Sequence, residues 1–307
     1  MLLMPVQLVA ALLLGALVGA GAGSIAAARD APGAQRAQVR DGAGRMVALP
    51  ARVARIVSLA PSVTEMLFAL GAGDRVVGVT EFCDYPPEAA ARTRIGGLIN
   101  PDLERIVALS PDLAVATTAG NYLDDAERIE RLGIPVYTID APTVEAMLKT
   151  LGTVGQLIGA QARATALVAE LQGRIDRVRA RAALRNRVRA LYIIEPEPLI
   201  VPGRGTFIGE ALSAAGADLV TADAAASWGQ YDLEQVIGLK PELILVPSPH
   251  ASWARGLASH AEWMRVPAVS AGHVRVISDS IQHPGPRLVD GIEEVDEIVA
   301  QVVALKH

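Results

Sequence analysis

Three observations predict that this 307-residue chain folds as two α/β lobes with short, mostly parallel sheets, joined by a long helix. Short apolar runs alternate with helix-period segments, the pattern of a parallel sheet with helices on its faces. One helix–proline–strand phrase occurs twice, as LERIVALSPDLAVA at 103–116 and LEQVIGLKPELILV at 233–246. Between the two copies, residues 143–183 have an almost purely helical composition.

The first 28 residues carry no charged side chain, and an apolar stretch at 8–18 is followed by small residues ending in Ala26, Ala27 and Ala28. This reads as a secretory leader with an A-x-A cleavage site. If retained, the same stretch has the length of a membrane anchor. Either way the folded part is expected outside the cytoplasm, in the periplasm or its equivalent. No cysteine lies near the cleavage site to accept a lipid.

A polar segment at 37–50 follows, with Asp41-Gly42 as a hairpin turn. Residues 55–59 form a short strand, Ser62, Val63, Thr64 and Glu65 start a helix through 66–70, and Gly71 closes it. Strands are predicted at 76–79, 113–116 and 136–139, and helices at 102–109 and 124–132.

In the repeated phrase, Leu103 and Leu233, Glu104 and Glu234, Leu109 and Leu239, and Pro111 and Pro241 coincide at a constant offset of 130. A second pair agrees: Glu65 opens EMLFALGAGD and Glu210 opens EALSAAGADL, at an offset of 145. The extra 15 residues fall in the first half, around CDYPPEAAARTRIGG. Two ordered matches predict two similarly built, Rossmann-like lobes with a cleft between them.

Thr143 caps one linker helix running to about Ile158. A second runs from about Ala160 to Ala183, with Leu167, Leu171, Ile175 and Val178 on one side. At 1.5 Å per residue it is roughly 35 Å long, a stiff rod that limits hinge motion. Its basic end, 174–189, reads as a solvated face that complements the helix dipole. The expected organisation is a leader at 1–28, an N-terminal lobe at 37–142, a helical linker at 143–184 and a C-terminal lobe at 185–307.

Composition excludes several functions. A formal net charge of −5 without a basic, aromatic-interleaved surface argues against nucleic acid. The single cysteine, Cys83, rules out an internal disulfide and reads as a small buried hydrophobe in preference to a metal ligand. Five histidines show no H-E-x-x-H pairing, no G-x-S-x-G elbow is present, and the loop 202–206 lacks the phosphate-binding pattern. No metal or catalytic residue is assigned. A carrier and an extracytoplasmic enzyme on a bilobal scaffold are the two classes left.

Segments 55–89 (RIVSLAPSVTEMLFALGAGDRVVGVTEFCDYPPEA), 100–113 (NPDLERIVALSPDL) and 228–243 (WGQYDLEQVIGLKPEL) resemble the periplasmic substrate-binding proteins of ABC importers with a helical backbone. DYPPEA and the paired LE are closest to the cobalamin-binding branch, whereas the strand–loop–helix opening is shared with haem and ferric-siderophore carriers. The resemblance extends from about residue 52 to the end.

It implies a non-enzymatic, monomeric carrier without a cofactor, whose ligand is cobalamin, or else haem or a siderophore, and whose partners are the transmembrane permease subunits. Glu104 and Glu234 match the glutamates that dock into permease arginines. The repeat alone gives one carboxylate per lobe to offer a two-fold partner, although each also lies in a first helical turn, where the dipole favours it by about 0.3–1 kcal/mol. For the ligand, Trp228 matches a cleft tryptophan, Phe82 stands where a tyrosine is familiar, Asp279 matches a ligand-contacting aspartate, and His283 replaces an arginine. Tyr85 and His283 are the axial candidates if the ligand is haem. Leu98 and Thr117 occupy positions that are tryptophan in well-matched members.

Overall fold

The structure, a computed structural model, describes residues 38–223 and 226–305. The expected leader lies outside the described residues. A hairpin opens the fold, with the three residues of β1 (Gln38–Arg40) paired antiparallel to those of β2 (Met46–Ala48) about the turn that begins at Asp41.

The first lobe is built on β3 (Ile56–Ser58), α1 (Pro61–Ala69), β4 (Val76–Val79), β5 (Thr93–Arg94), α2 (Leu103–Ala108), β6 (Leu113–Thr117), α3 (Leu123–Arg131) and β7 (Val136–Ile139). Its five strands pair in parallel in the order β5-β4-β3-β6-β7. Every residue of β3, β6 and β7 is buried, as expected for a parallel sheet covered on both faces.

Two helices follow, α4 (Val144–Leu157) and α5 (Gln161–Ala182). Thr143 caps α4 as its sequence context predicts, its hydroxyl accepting from the Ala146 amide at 3.0 Å. Their close packing depends on Gly155, where a Cβ would lie 2.3 Å from that of Ala164.

The second lobe contains β8 (Val188–Tyr192), β9 (Glu195–Pro196), β10 (Leu199–Pro202), α6 (Phe207–Ala214), β11 (Ala217–Leu219), β12 (Trp228–Gln230), α7 (Leu233–Leu239), β13 (Leu243–Pro247), α8 (Ala251–Gly256), α9 (Pro267–Ser270), β14 (Val274–Ile277) and α10 (Leu288–Ala304). Four strands form a parallel sheet in the order β11-β8-β13-β14, and β12-β10-β9 make a small antiparallel sheet beside it.

The offset of 130 holds in three dimensions. Strands β6 and β13 start at Leu113 and Leu243, and helices α2 and α7 are capped by Asp102 and Asp232, whose carboxylates accept from the Arg105 amide at 3.0 Å and the Gln235 amide at 2.8 Å. The offset of 145 places Glu65 on α1 and Glu210 on α6, the helices flanking corresponding central strands.

The largest apolar core runs from Val47 through Met147, Leu171 and Ile175 to Val302, so it passes through both lobes and the inner face of α5. Relative lobe movement would have to open this core, which restrains the hinge. The basic end of α5 departs from its sequence reading as a solvated face. Arg174 pairs with Asp290 at 2.6 Å and Glu293 at 2.5 Å, and Arg181 pairs with Asp296 at 2.7 Å. Arg185 closes on the other Asp296 oxygen. Acids at 290, 293 and 296 recur along one side of α10 and meet arginines spaced along α5, so these cations staple the rod to the last helix.

Candidate functional site

Parallel strands deliver the loops at their C-terminal ends to one edge of each sheet, where α/β folds place their ligands. Here β3 leads to Ala60, Pro61 and Ser62, β4 to Glu81, Phe82 and Asp84, and β6 to Thr118, Ala119 and Gly120. From the second lobe, β13 leads to Pro249 and β14 to the 279–284 loop. These segments enclose a cleft of about 690 Å³, within the range of roughly 300–1,000 Å³ for ligand sites.

Aromatic groups face it from both lobes. Phe82 is 57% exposed and Trp228 47% exposed, large apolar areas for single side chains on a folded surface. Trp228 is held on β12, opposite Pro202 of β10, and meets the Phe207 ring edge-on at 6.1 Å and 64°. The other two tryptophans, Trp253 and Trp263, pack against each other at 5.4 Å beside the second lobe's own apolar cluster.

The charges lining the cleft are Glu81, Asp84 and Asp279, with His283 as the one titratable base and no lysine or arginine among the described lining residues. Asp279 is held from behind by Arg287, whose Nη2 donates to Oδ1 at 2.6 Å. Burial disfavours the Arg287 charge, but Glu65 and Asp279 outweigh it and raise the guanidinium pKa further. The loop also hangs from Glu294, which accepts from the Ser278 amide at 3.1 Å and its hydroxyl at 2.6 Å. Gly291 lets α10 approach it: a Cβ there would stand 2.8 Å from that of Ile281.

The structure thus brings Phe82, Trp228, Asp279 and His283 together at one cleft. It does not bring Tyr85 there. The Tyr85 ring lies 4.3 Å under the Arg287 guanidinium and lines a second cavity, of about 590 Å³, with Glu65, Leu171 and Arg174. Stacking on a cation fixed by two carboxylates draws the ring to the far side of its loop. Leu98 lines the cleft, whereas Thr117 is buried, its amide donating to the Asn121 Oδ1 at 2.9 Å; its neighbour Thr118 faces the cleft instead. Cys83 is fully buried beside the Thr80 hydroxyl at 3.1 Å, and burial raises its thiol pKa, so it packs as a small hydrophobe. The 202–206 loop is a helix entry: the Thr206 hydroxyl caps α6, accepting from the Gly209 amide at 3.1 Å.

Sequence reasoning missed the residues behind the cleft. Glu65 was visible as a helix-start residue and a repeat marker but not as a site residue, yet its side chain is 3% exposed and its Oε1 lies 3.6 Å from His283 Nδ1 and 3.8 Å from Arg287 Nη1. Its repeat partner Glu210 reaches out of its own lobe too, accepting from the Val144 amide at the start of α4 at 2.8 Å. Both matched glutamates therefore tie a lobe to what lies beyond it.

Glu104 and Glu234 sit in the first turns of α2 and α7, each at the strand-C-terminal end of its own lobe, and both are exposed. Glu234 pairs with Arg265 at 2.9 Å, a surface contact that water screens. Glu104 has no such partner among the described residues.

Comparison with known proteins accords with this architecture. The chain is 32% identical over 247 residues to a vitamin B12-binding protein of Vibrio parahaemolyticus, covering 80% of this chain and 89% of the relative. It is 30% identical over 303 residues to YvrC, an uncharacterized ABC transporter substrate-binding lipoprotein of Bacillus subtilis, covering 94% and 95%. Among solved structures, the periplasmic haem-binding protein RhuT of Roseiflexus superposes with a TM-score of 0.75 at 26% identity, covering 82% of this chain and 99% of that one. These are binding proteins, not enzymes. The periplasmic binding protein family matches residues 56–280, and with two lobes, a rod helix and a cleft at the strand ends the chain belongs to that family.

Proposed function

We propose that this protein captures a corrinoid, cobalamin foremost, between its lobes outside the cytoplasm and hands it to the transmembrane subunits of an ABC importer. The observation that carries the choice of ligand is the charge of the cleft. Its lining holds three carboxylates and a histidine but no lysine or arginine among the described residues. Haem brings two propionates and most ferric siderophores bring anionic donors, and burying these against carboxylates without a cation is unfavourable. Cobalamin carries a neutral or singly positive corrin unit with a broad apolar edge and peripheral amides, which suits Phe82 and Trp228 facing it with Glu81 and Asp84 as amide acceptors.

The vitamin B12-binding relative supports the same reading, and the Bacillus relative's description supports an importer as partner. Under it, Glu104 and Glu234 present one carboxylate per lobe to basic residues of a two-fold permease. Calorimetric titration of the protein with cyanocobalamin, haemin and a ferric hydroxamate tests the ligand. One-to-one binding of cyanocobalamin, at least a hundred-fold tighter than the other two, is expected. Tighter binding of haemin would overturn the corrinoid assignment and leave the carrier architecture intact.

A further inference from the structure

We propose that His283 is a metal-binding residue of the cleft, ligating the centre of the captured chelate through Nε2, and that Glu65 is the positioning residue behind it. The inference rests on the corrinoid reading above and names what that cleft does to its ligand. His283 is the one nitrogen donor of its kind lining the cleft among the described residues. Its two ring nitrogens see different surroundings. Nδ1 is buried without a hydrogen-bond partner and lies 3.6 Å from Glu65 Oε1, while the side chain as a whole is 28% exposed and lines the cleft.

Glu65 is equally unusual. It arises on α1 of the first lobe, its side chain is 3% exposed, and its Oε2 has no hydrogen-bond partner. A buried carboxylate held behind an imidazole is the arrangement that fixes the ring tautomer and strengthens the outer nitrogen as a metal donor. With the proton on Nδ1, facing the carboxylate, the lone pair sits on Nε2. The present separation is longer than a hydrogen bond, and closing it by about half an ångström would give Nδ1 a partner in Oε1.

The chain that follows His283 lies directly against this carboxylate. Gly285 passes Glu65 so closely that a Cβ would stand 3.1 Å from Oε2, which brings the 283–287 chain onto the carboxylate. Arg287 also pairs with Glu65 Oε1, at 3.8 Å, but its shorter contact is to Asp279 at 2.6 Å and its face lies on the Tyr85 ring at 4.3 Å. The first lobe therefore supports a donor supplied by the second, and ligation couples the two lobes around the bound chelate.

The step is a ligand exchange at cobalt(III). The Nε2–cobalt bond forms, the bond to the upper axial water breaks, that water leaves, and neither the oxidation state nor the Nδ1 proton changes. A corrinoid whose upper position is exchangeable can undergo it, whereas one with that position held by cyanide cannot do so readily.

Titration with aquocobalamin and cyanocobalamin, read by absorbance and calorimetry, tests the proposal. Wild-type protein is expected to bind aquocobalamin at least ten-fold tighter and to shift its absorption bands to those of a nitrogen-ligated corrinoid. His283→Ala should abolish the shift and bring the two affinities together. Glu65→Gln should cut the preference by about ten-fold, within the roughly 10–100-fold range for loss of such a supporting group, with the circular dichroism of the fold unchanged. Because His283 lies at the cleft surface, its variant keeps the test valid if Glu65→Gln fails to fold. Tight binding of both corrinoids at equal affinity, with a water-ligated spectrum, would overturn the proposal and leave the corrinoid reading standing. Persistence of the shift in His283→Ala would overturn it as well. Failure of both corrinoids to bind would remove the reading and the proposal together.

Discussion

Replacing Trp228 by alanine should weaken capture of cobalamin by roughly 70-fold. A tryptophan side chain offers on the order of 200–250 Å², and with 47% of Trp228 exposed at the cleft about 100 Å² is available for the ligand to cover. At about 25 cal/mol per Å² this is about 2.5 kcal/mol, or close to two powers of ten in Kd. Loss of the edge-on contact with Phe207 loosens the wall further and adds to the effect in the same direction. Trp228 contributes little to the core, so the melting temperature should change by less than about 3 °C. Calorimetric titration with cyanocobalamin measures the change, and Trp253→Phe, in the second lobe's apolar cluster, serves as the control with unaltered affinity. A Kd for Trp228→Ala within three-fold of wild type would show that the ligand does not cover this face and would refute the cleft as the capture site.

Four further outcomes follow from the same geometry. Gly291→Ala, normally a gain of about 1 kcal/mol inside a helix, should instead destabilise and displace the 279–284 loop, because its Cβ meets Ile281 at 2.8 Å; a thermal melt with a higher Tm than wild type would contradict this. Asp296→Ala strips the carboxylate from Arg181 of α5 and from Arg185, whose side chain is only 14% exposed and keeps just the Ala215 carbonyl, and should cost about 3–5 kcal/mol in urea denaturation, with a cost under 1 kcal/mol refuting the staple between α5 and α10. Arg174 lowers the Glu293 pKa, chiefly by hydrogen bonding, so this carboxylate contributes stability above the ordinary glutamate pKa and loses it as pH falls through its depressed folded value. Glu293→Gln should therefore flatten the acid limb of the Tm profile, and an unchanged slope would count against the pairing. Glu104→Ala together with Glu234→Ala should leave the cobalamin Kd within two-fold while abolishing uptake in cells that carry the cognate importer; normal uptake would remove the docking assignment.

Much of the architecture was legible because it is written in local signals. Asp102 and Asp232 stand three residues before the amides they cap, and the apolar runs of β6 and β13 follow at the same offset, so the repeat predicted matching elements in both lobes. Thr143 and the apolar stripe of α5 are equally local. The supports of the cleft were not legible in the same way. Glu65 and His283 are more than 200 residues apart and meet only because α1 faces the loop after β14. Tyr85 sits three residues from Phe82 in a loop, where no periodicity dictates direction, and Arg287 decides which side its ring takes. The basic end of α5 looked solvated because the acids that neutralise it lie on α10, more than a hundred residues later.

The central claim is that a corrinoid lies in the cleft between the lobes, and a crystal structure of the protein grown with cyanocobalamin tests it most directly. The account predicts one corrinoid per chain in contact with Phe82 and Trp228 and beside the 279–284 loop, with Glu104 and Glu234 exposed to solvent. A corrinoid bound elsewhere, or a cleft that closes by opening the shared apolar core along α5, would contradict it.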